Sequence, residues 1–254
     1  MSLDSEDPDF VSALARGLTV IKAFGQGADS LTLSEVAQRT DLSRGTARRL
    51  LLTLETLGYV RQDGKQFKLS PKILELGYTY LSSIPVWKAA QPVMQKVVDK
   101  LDQSCALGVL DGYDVVYIAR TPPKHLAYLP VTPGTRMPAH VNAMGQVLLA
   151  NLSAEELDGY FKLAPRERLT KFTLVDEQEI RKTLKKVARD HYALSDRQIH
   201  SGIRAIAVPI PSRHGRPEFS LNASAEESRA SRSDLIEKFL PILRAAADEL
   251  SSVL

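Results

Sequence analysis

The sequence contains few of the residues that build disulfides, metal centres or cofactor sites. Cys105 is its only cysteine, which excludes an internal disulfide and any cysteine-rich metal site. The five histidines are scattered along the chain, at His125, His140, His191, His200 and His214. No two of them stand at metal-ligand spacing on one helix. We therefore expect no metal and no cofactor.

Long apolar runs and a leader segment are also missing. The longest nearly apolar stretch is 205–211, which Pro209 interrupts, whereas a membrane-spanning helix needs about 20 residues. The N-terminal residues MSLDSEDPDF are acidic and lack the basic start and apolar core of a signal peptide. The sequence therefore predicts a cytoplasmic protein without a membrane partner.

Motifs for catalysis are absent as well. The sequence has no GxSxG nucleophile motif, no phosphate-binding loop and no dinucleotide-binding glycine pattern. Cys105 stands at the start of an apparent strand, where a cysteine is more often a buried small hydrophobe than a nucleophile. Because neither a nucleophile–base pair nor a metal cluster can be assembled, the sequence predicts that the protein is not an enzyme.

The chain does have an ordinary hydrophobic fraction and an uneven distribution of charge. Hydrophobic residues make up 44% and charged residues 25% of it, which is enough to build a sizeable core. Residues 1–9 carry four acids and no base, while residues 10–72 carry ten Lys or Arg against five Asp or Glu. A basic N-terminal segment is typical of a contact with phosphates, although a solvated basic face gives the same pattern.

Three helices are predicted in this basic segment. The first spans 10–24, with apolar residues at helical spacing, at Val11, Leu14, Leu18 and Ile21. Thr32 and Glu35 form a capping box at the start of a second, short helix. Ser43 can cap a third helix that stops at Gly58, and its inner stripe is Ala47, Leu50, Leu51, Leu54 and Leu57. Two such helices joined by a short turn form a helix-turn-helix.

The third helix has the features of a recognition helix. Its side opposite the leucines carries Arg48 and Arg49, and arginine can pair with a guanine edge or clamp a phosphate. Gly45 costs about 1 kcal/mol relative to alanine inside a helix, which indicates either close approach of its backbone to a partner or a glycine that is merely tolerated. Two short strands around Asp63-Gly64 predict a hairpin that would act as a wing against the DNA backbone. The predicted DNA contacts are Thr32, Ser43, Arg44, Gly45, Thr46, Arg48, Arg49 and Lys65.

Beyond the wing, the sequence predicts a linker and a larger second domain. We place an acidic tail at 1–9, a winged helix-turn-helix at 10–70, a linker helix at 71–84 and the second domain at 85–254. Helices are predicted at 87–103, 140–150, 154–163, 176–190 and 233–254, the last with a kink at Pro241. Strands are predicted at 106–110, 115–119, 128–131, 205–210 and 219–222. Strand hairpins with helices between them predict an α+β fold with an antiparallel sheet.

Several blocks of the sequence resemble one family of bacterial regulators. The N-terminal blocks are FVSALARGLTVIKAF, LTLSEVAQRTDLSRGTARRLLLTLETLGYV and FKLSPKILELGYTYLSS, and the later ones are VLDGYDVVYIAR, GTRMPAHVNAMGQVLLA and GIRAIAVPI. In kind and order they are similar to the IclR family of transcription regulators. The likeness is strongest to the subgroup, of PcaR, PcaU and PobR type, that controls breakdown of aromatic acids through the β-ketoadipate pathway. The blocks cover nearly the whole chain, so the resemblance is specific.

The resemblance implies partners and a fold for each domain. For the N-terminal domain it implies binding of a double-stranded DNA operator, and for the C-terminal domain a GAF-like sensor fold. It also implies a homodimer or homotetramer whose subunits the linker helps to pair, with a simple connector as the alternative for the linker. The implied ligand is a small carboxylate effector, either an aromatic carboxylate or a β-ketoadipate-type acid, and protocatechuate and 4-hydroxybenzoate are the leading candidates.

The predicted effector site centres on the helix that begins near Asn142. Free backbone N–H groups at a helix N-terminus favour an anion such as a carboxylate. By resemblance, the effector-contacting positions correspond to Ala143, Met144, Ser195 and Ala205. Charge and stacking could come from Arg120, Tyr128 and Arg136, although surface or core roles fit these three equally well.

The sequence departs from the family around this site. Some relatives have polar residues at the position of Ala205, and many have acids around Gln198 and His200. An apolar Ala205 leaves more room and less polarity, and the missing acids make the pocket rim less acidic. The identity of the effector therefore stays open at this point.

Two other functions also stay open. One is an enzyme that acts on a small organic acid and carries a winged-helix appendage, although it would need catalytic groups that cannot be assembled here. The other is an adaptor that uses the winged helix to bind protein. A gel-shift assay with the DNA upstream of the gene separates the regulator from the adaptor, and turnover assays address the enzyme.

Overall fold

The chain divides between Tyr80 and Leu81 in the computed structural model, giving the units Met1–Tyr80 and Leu81–Leu254. The structure describes residues 7–25, 27–123, 131–212 and 215–254. Each unit has its own core of buried apolar side chains.

Three helices and a small sheet make up the first unit. They are α1 (Ser12–Ala23), β1 (Leu31–Thr32), α2 (Leu33–Thr40), α3 (Arg44–Thr56), β2 (Val60–Asp63) and β3 (Gln66–Leu69). Thr32 and Glu35 form the predicted capping box of α2, and the Ser43 hydroxyl accepts the Thr46 N–H at 3.2 Å. The β2–β3 hairpin turns at Gly64, whose φ is +59°, and β1 pairs antiparallel with β3. The predicted winged helix-turn-helix is therefore present.

The predicted apolar stripes of α1 and α3 are only partly buried. Val11, which precedes α1, and Leu14 and Leu18 of α1 are 63%, 64% and 46% exposed. That helix has a second apolar side, and Val20 and Ala23 on it are the residues buried in the core. On α3 the prediction was wrong for Leu57, which is 52% exposed because it follows the last residue of the helix.

A short helical segment follows the wing where the linker was predicted. It consists of a 3-10 turn, Pro71–Ile73, and helix α4 (Leu74–Ser82). Ser70 caps the turn, since its hydroxyl accepts the Lys72 N–H at 3.3 Å. No residue of α4 is buried, and Leu74 and Tyr78 are 72% and 61% exposed.

The second unit is a six-stranded antiparallel sheet covered by helices. Its helices are α5 (Pro85–Leu101), α6 (Ala143–Leu149), α7 (Ala154–Leu163), α8 (Glu177–Asp190), and α9 (Arg232–Asp234), which continues through a π-helical segment, Leu235–Phe239, into α10 (Leu240–Ser251). Its strands are β4 (Ser104–Asp111), β5 (Asp114–Thr121), β6 (Arg136–Pro138), β7 (Ala193–Asp196), β8 (Ile203–Pro209) and β9 (Phe219–Glu226). They lie in the order β6-β5-β4-β9-β8-β7. The predicted α+β fold with an antiparallel sheet is confirmed.

The short strands of this sheet were the weak point of the sequence prediction. β6 and β7 have three and four residues, too few for an alternating pattern to stand out. Of the strand predicted at 128–131, residues 128–130 lie outside the described residues, and Val131 belongs to no strand. The predicted kink at Pro241 is a π-helical segment just before it, because proline lacks the N–H that a regular turn needs.

Alternate residues of the long strands face two different layers. Cys105, Leu107 and Leu221 belong to the largest core, together with side chains of α5 and α10. Burial raises the pKa of the Cys105 thiol, which fits a packed hydrophobe rather than a nucleophile. The residues between them in the strands, such as Ala106, lie on the opposite face of the sheet and pack against α6. This second face holds the candidate site.

Candidate DNA-binding surface and effector pocket

The first two turns of α3 present basic side chains to solvent. Arg44, Gly45, Arg48 and Arg49 are exposed, and Thr46 is half-buried. Within the described part of the chain, the three arginines form no ion pair with an acid. A Cβ added at Gly45 would meet no atom within 4 Å, so the fold itself does not require glycine there.

The remaining predicted DNA contacts lie at a helix cap and on the wing. The Thr32 hydroxyl donates to the Glu35 carboxylate at 2.7 Å, and hydrogen bonds from Thr32 lower the pKa of Glu35. Lys65 is exposed at the tip of the hairpin. Lys68, in contrast, pairs with Asp63 at 3.5 Å. Lys65 is therefore the wing cation that is better placed to meet a partner.

A small cavity of about 40 Å³ lies between one face of the six-stranded sheet and the start of α6. Its described lining residues are Ser104, Ala106, Tyr117, Arg120, Val131, Met137, Asn142, Ala143, Ser195, Ile199, Ile203, Ala205, Asn222 and Ser224. Half of them are polar, and Arg120 is the one charged residue among them. We call this cavity the effector pocket.

Two rows of residues that cross the strands form the floor of the effector pocket. In the first row, Arg120, Ala106 and Asn222 are direct neighbours on β5, β4 and β9. The second row runs from β4 through β9 and β8 to β7, as Ser104, Ser224, Ala205 and Ser195. Alanine and serine side chains are short, so these rows leave space above the sheet.

A β-bulge places Tyr117 and Arg120 on the same face of β5. Residues three apart on a regular strand point to opposite faces. The pairing register shifts between Leu107 and Gly108 of β4, which leaves Ile118 as an extra residue in β5. Ile118 packs in the opposite core, while Tyr117 and Arg120 both line the effector pocket.

Arg120 is fixed in the pocket wall by two hydrogen bonds. Its Nε donates to Ser104 Oγ at 2.9 Å, and its Nη1 donates to the Val131 carbonyl at 2.7 Å. Burial lowers its pKa, but an arginine with an ordinary pKa above 12 stays charged at neutral pH. Both partners are uncharged, so no acid in the described lining neutralises the guanidinium.

Asn142 caps α6 and also binds Tyr117. Its Oδ1 accepts the Met144 N–H at 2.9 Å, and its Nδ2 donates to the Tyr117 hydroxyl oxygen at 2.8 Å. Of the N–H groups on which the carboxylate position was predicted, that of Met144 is therefore already bound by Asn142. The charged residue of the described lining, Arg120, is the candidate group for binding an anion.

The turn before α6 packs tightly against that helix. A Cβ at Gly145 would lie 2.3 Å from the Ala139 carbonyl oxygen, so glycine is required there. The Tyr160 hydroxyl lies 3.3 Å from Nδ1 of the buried His140. Burial lowers the pKa of His140 to about 4 and raises the pKa of Tyr160 to about 12. Both groups are neutral at neutral pH and hold the start of α6 in place.

Asn222 brings an unsatisfied polar group to the effector pocket. The residue is 3% exposed, and its Oδ1 has no hydrogen-bond partner among the described residues. A buried polar atom without a partner costs about 1–3 kcal/mol, which a ligand hydroxyl would recover. Ser195 is also buried, and its hydroxyl donates to the Val141 carbonyl at 2.6 Å.

The effector pocket contains five of the eight predicted effector residues: Arg120, Asn142, Ala143, Ser195 and Ala205. Met144 is not among its lining residues, and its Sδ would lie 3.1 Å from a Cβ at Gly108. Arg136 is also outside the lining. It pairs with Asp111 at 2.6 Å and with Asp114 at 3.1 Å, which raises its pKa. Tyr128 lies outside the described residues.

Four polar lining residues were missed from the sequence: Ser104, Tyr117, Asn222 and Ser224. The segment FSLNASA has polar residues at every second position, Ser220, Asn222 and Ser224, and this pattern predicts one polar strand face. The predicted strand ended at 222, so the pattern went unused. Tyr117 had no such signal, because the bulge after it interrupts the alternation.

Two family models match the chain. The IclR helix-turn-helix domain matches residues 13–64, and the bacterial transcriptional regulator IclR C-terminal domain matches residues 78–252. The chain belongs to the IclR family. One relative of this IclR regulator, the Pca regulon regulatory protein of Pseudomonas putida, is 38% identical over 245 residues, which cover 96% of this chain and 84% of that protein.

Solved structures of other IclR regulators resemble this one. A transcriptional regulator from Rhodococcus sp. RHA1 is 40% identical, with a TM-score of 0.86 and coverage of 96% of this chain and 98% of that chain. A double mutant of the PobR inducer-binding domain from Acinetobacter, in complex with 3-hydroxybenzoic acid, is 31% identical, with a TM-score of 0.62. The alignment covers 67% of this chain and 99% of that one. The IclR regulator described here is thus a DNA-binding transcriptional regulator and not an enzyme.

Proposed function

We propose that this IclR regulator binds its operator under the control of an aromatic monocarboxylate, with 4-hydroxybenzoate and protocatechuate as the leading candidates. The charge of the effector pocket carries the proposal, because Arg120 is the one charged residue in its described lining. A partly buried guanidinium without an acidic partner favours an anionic ligand. One cation matches one carboxylate.

The spacing of the first floor row fits a ring with a second polar group. Arg120 and Asn222 stand two strands apart, which is about 10 Å between backbones at the usual strand spacing. Ala106 between them is small enough to lie under an aromatic ring. The carboxylate would bind Arg120, and a ring hydroxyl would donate to the unsatisfied Asn222 Oδ1.

Two relatives support the same class of effector. The Pseudomonas putida relative regulates the Pca regulon, and it represents the subgroup that the sequence blocks resemble. The PobR inducer-binding domain was solved with a hydroxybenzoic acid. We carry the ligand class over to this chain, since five predicted effector residues line one pocket here.

For DNA binding we assign the contacts to α3 and the wing. Residues 10–70 form the proposed DNA-binding domain, 71–84 the linker, and 85–254 the effector-binding and oligomerisation domain. Arg48 and Arg49 would read bases or clamp phosphates in the major groove. Arg44 and Lys65 would add phosphate contacts, which make affinity depend on salt.

We further propose that the regulator works in the cytoplasm as a homodimer or homotetramer. Val11, just before α1, and Leu14 and Leu18 of α1 form an exposed apolar stripe, and Leu74 of α4 is also exposed. Contiguous exposed apolar side chains are typical of contact surfaces, and paired winged helices read two half-sites of an operator. In the described part of the chain, none of the helices has the length and apolar character needed to span a membrane.

The effector proposal is tested by a thermal-shift screen of the full chain. A ligand at a hundredfold excess over its Kd should raise the free energy of unfolding by about 2.7 kcal/mol, which gives a measurable rise in Tm. Benzoate, 4-hydroxybenzoate and protocatechuate should raise the Tm, and the neutral 4-hydroxybenzaldehyde should raise it much less. Equal shifts from the aldehyde would contradict the role of Arg120, and no shift from any acid would contradict the proposed effector class.

A further inference from the structure

The proton of the Tyr117 hydroxyl has only a weak acceptor in the effector pocket. Asn142 Oδ1 accepts the Met144 N–H, which fixes Nδ2 as the donor to the Tyr117 oxygen at 2.8 Å. The phenol must therefore donate in another direction, and its acceptor in the described structure is Met137 Sδ at 3.5 Å. A thioether is a weak acceptor, so an oxygen of a ligand would replace it readily.

Tyr117 is also protonated and close to the pocket cation. The residue is 6% exposed, and burial raises its pKa, so it stays a neutral donor at physiological pH. The electrostatic influence of Arg120 acts on the same hydroxyl. The bulge at Ile118 is what brings these two side chains to one face of β5. An anion at Arg120 would thus find a second hydrogen-bond donor beside it.

The same hydroxyl is connected to the start of α6. Asn142 holds Tyr117 with one end of its amide and caps α6 with the other. A shift of the phenol toward a ligand would also move the Asn142 side chain that caps α6, because one planar amide group makes the bond to Tyr117 and the bond to Met144. Asn142 is buried and itself lines the effector pocket.

We propose that Tyr117 is a specificity-determining residue of the effector pocket and that Asn142 couples its occupancy to α6. This inference rests on the proposed aromatic-acid function. Tyr117 would donate to the effector carboxylate together with Arg120, exchanging the Met137 sulfur for a carboxylate oxygen. Asn142 would transmit the resulting movement of the phenol to the N-terminus of the helix.

The donor role is tested with Tyr117→Phe and three probes: 4-hydroxybenzoate, benzoate and phenol. Isothermal titration of the full chain should show about a tenfold loss of affinity for both acids, the size expected for a hydrogen bond to a charged group. The Kd for phenol should stay within about twofold, because phenol has no carboxylate. Parental affinity of the variant for both acids would overturn the proposal. So would a loss for 4-hydroxybenzoate that benzoate does not share, since that places Tyr117 at the ring hydroxyl.

Met137→Leu tests the proposed exchange of the Met137 sulfur for a ligand oxygen. Leucine has a similar volume and no sulfur acceptor, so the phenol proton would lose its partner in the empty pocket. The affinity for benzoate should then rise above that of the parent chain, because no sulfur competes for the proton. A tenfold loss in this variant would show that packing, rather than the hydroxyl proton, governs binding, and it would overturn the donor role.

The coupling role is tested with Asn142→Ser. Serine can still cap α6, but it lacks the amide group that holds Tyr117. The variant should still unfold cooperatively, and at a benzoate concentration that saturates it the change in operator affinity in a gel-shift assay should be at least threefold smaller than in the parent. An unchanged response would overturn the coupling. Failure of the parent chain to bind any of the acids would be a distinct result, because it contradicts the proposed function itself.

Discussion

At the scale of single residues, position in the sheet decides which arginine can meet an effector. Arg120 and Arg136 were equal candidates by sequence, since either could supply a positive charge. Arg136 lies on the edge strand β6 with two acids around it, whereas Arg120 is half-buried on β5 with uncharged partners only. The charge of Arg136 is already satisfied, and that of Arg120 is not.

Arg120→Gln should weaken binding of 4-hydroxybenzoate about 10- to 100-fold, because a hydrogen bond to a charged group is worth about 1.5–3 kcal/mol. Isothermal titration of the full chain measures this loss. The control is Arg136→Gln, which should change the Kd by no more than about twofold, since it removes only an exposed ion pair. A larger loss of affinity in Arg136→Gln than in Arg120→Gln would show that Arg136, and not Arg120, binds the carboxylate.

His140 makes the stability of the second unit depend on pH. Its folded-state pKa of about 4 lies below the ordinary value of about 6.5, so the unfolded chain takes up the proton first. The stability that neutral His140 provides is therefore complete above about pH 6.5 and is lost as the pH falls toward 4, by up to roughly 3 kcal/mol. Urea unfolding followed by the fluorescence of Trp87, the single tryptophan, should show this loss. In His140→Gln the decline between pH 6.5 and 4 should be smaller by that amount, and equal declines would contradict the assignment.

At the scale of elements, a substitution in α3 can leave the fold intact and still weaken the proposed binding of DNA. Gly45→Leu should raise the Tm or leave it unchanged, because leucine favours the helix by nearly 1 kcal/mol over glycine and an added Cβ meets no atom within 4 Å. Operator affinity in a gel shift should nevertheless fall, since the side chain would block close approach of the backbone to DNA.

Gly159→Ala on α7 is the matched control for Gly45. It also has open space around an added Cβ, but it lies in the second unit. It should stabilise the chain to a similar degree without changing operator affinity. If Gly45→Leu binds the operator as tightly as Gly159→Ala does, Gly45 is merely tolerated in α3.

Local signals explain which elements were predictable from the sequence. Thr32, Glu35 and Ser43 mark helix starts through bonds to their own neighbours, so the helix-turn-helix followed from the sequence alone. The pocket depended instead on partners far along the chain. Arg120 and Asn222 lie in one row only because both pair with Ala106 of β4, and Tyr117 shares their face only because of the bulge in β5. The alternation of residues within a single strand shows neither the pairing nor the bulge.

At the scale of the whole molecule, the exposed apolar stripe of α1 needs a partner. The sequence shows Leu14 and Leu18 as part of an apolar pattern at helical spacing. The stripe faces solvent within its own unit, and the chain's buried core uses the other side of α1. A stripe that is apolar and periodic without an intramolecular partner is the pattern expected when a second copy covers it.

Leu14→Lys combined with Leu18→Lys should therefore lower the oligomeric state without unfolding the chain. Two charges in an apolar interface would lose hydration without gaining partners, which costs more than the interface gains from the remaining contacts. Size-exclusion chromatography with light scattering at micromolar concentration measures the mass of the particles. Operator affinity should fall as well, because one winged helix would then bind a single half-site. Leu163→Lys is the control: Leu163 is 78% exposed on α7, so mass and affinity should both stay as in the parent. A double variant that keeps the parental mass would show that α1 does not form the subunit contact.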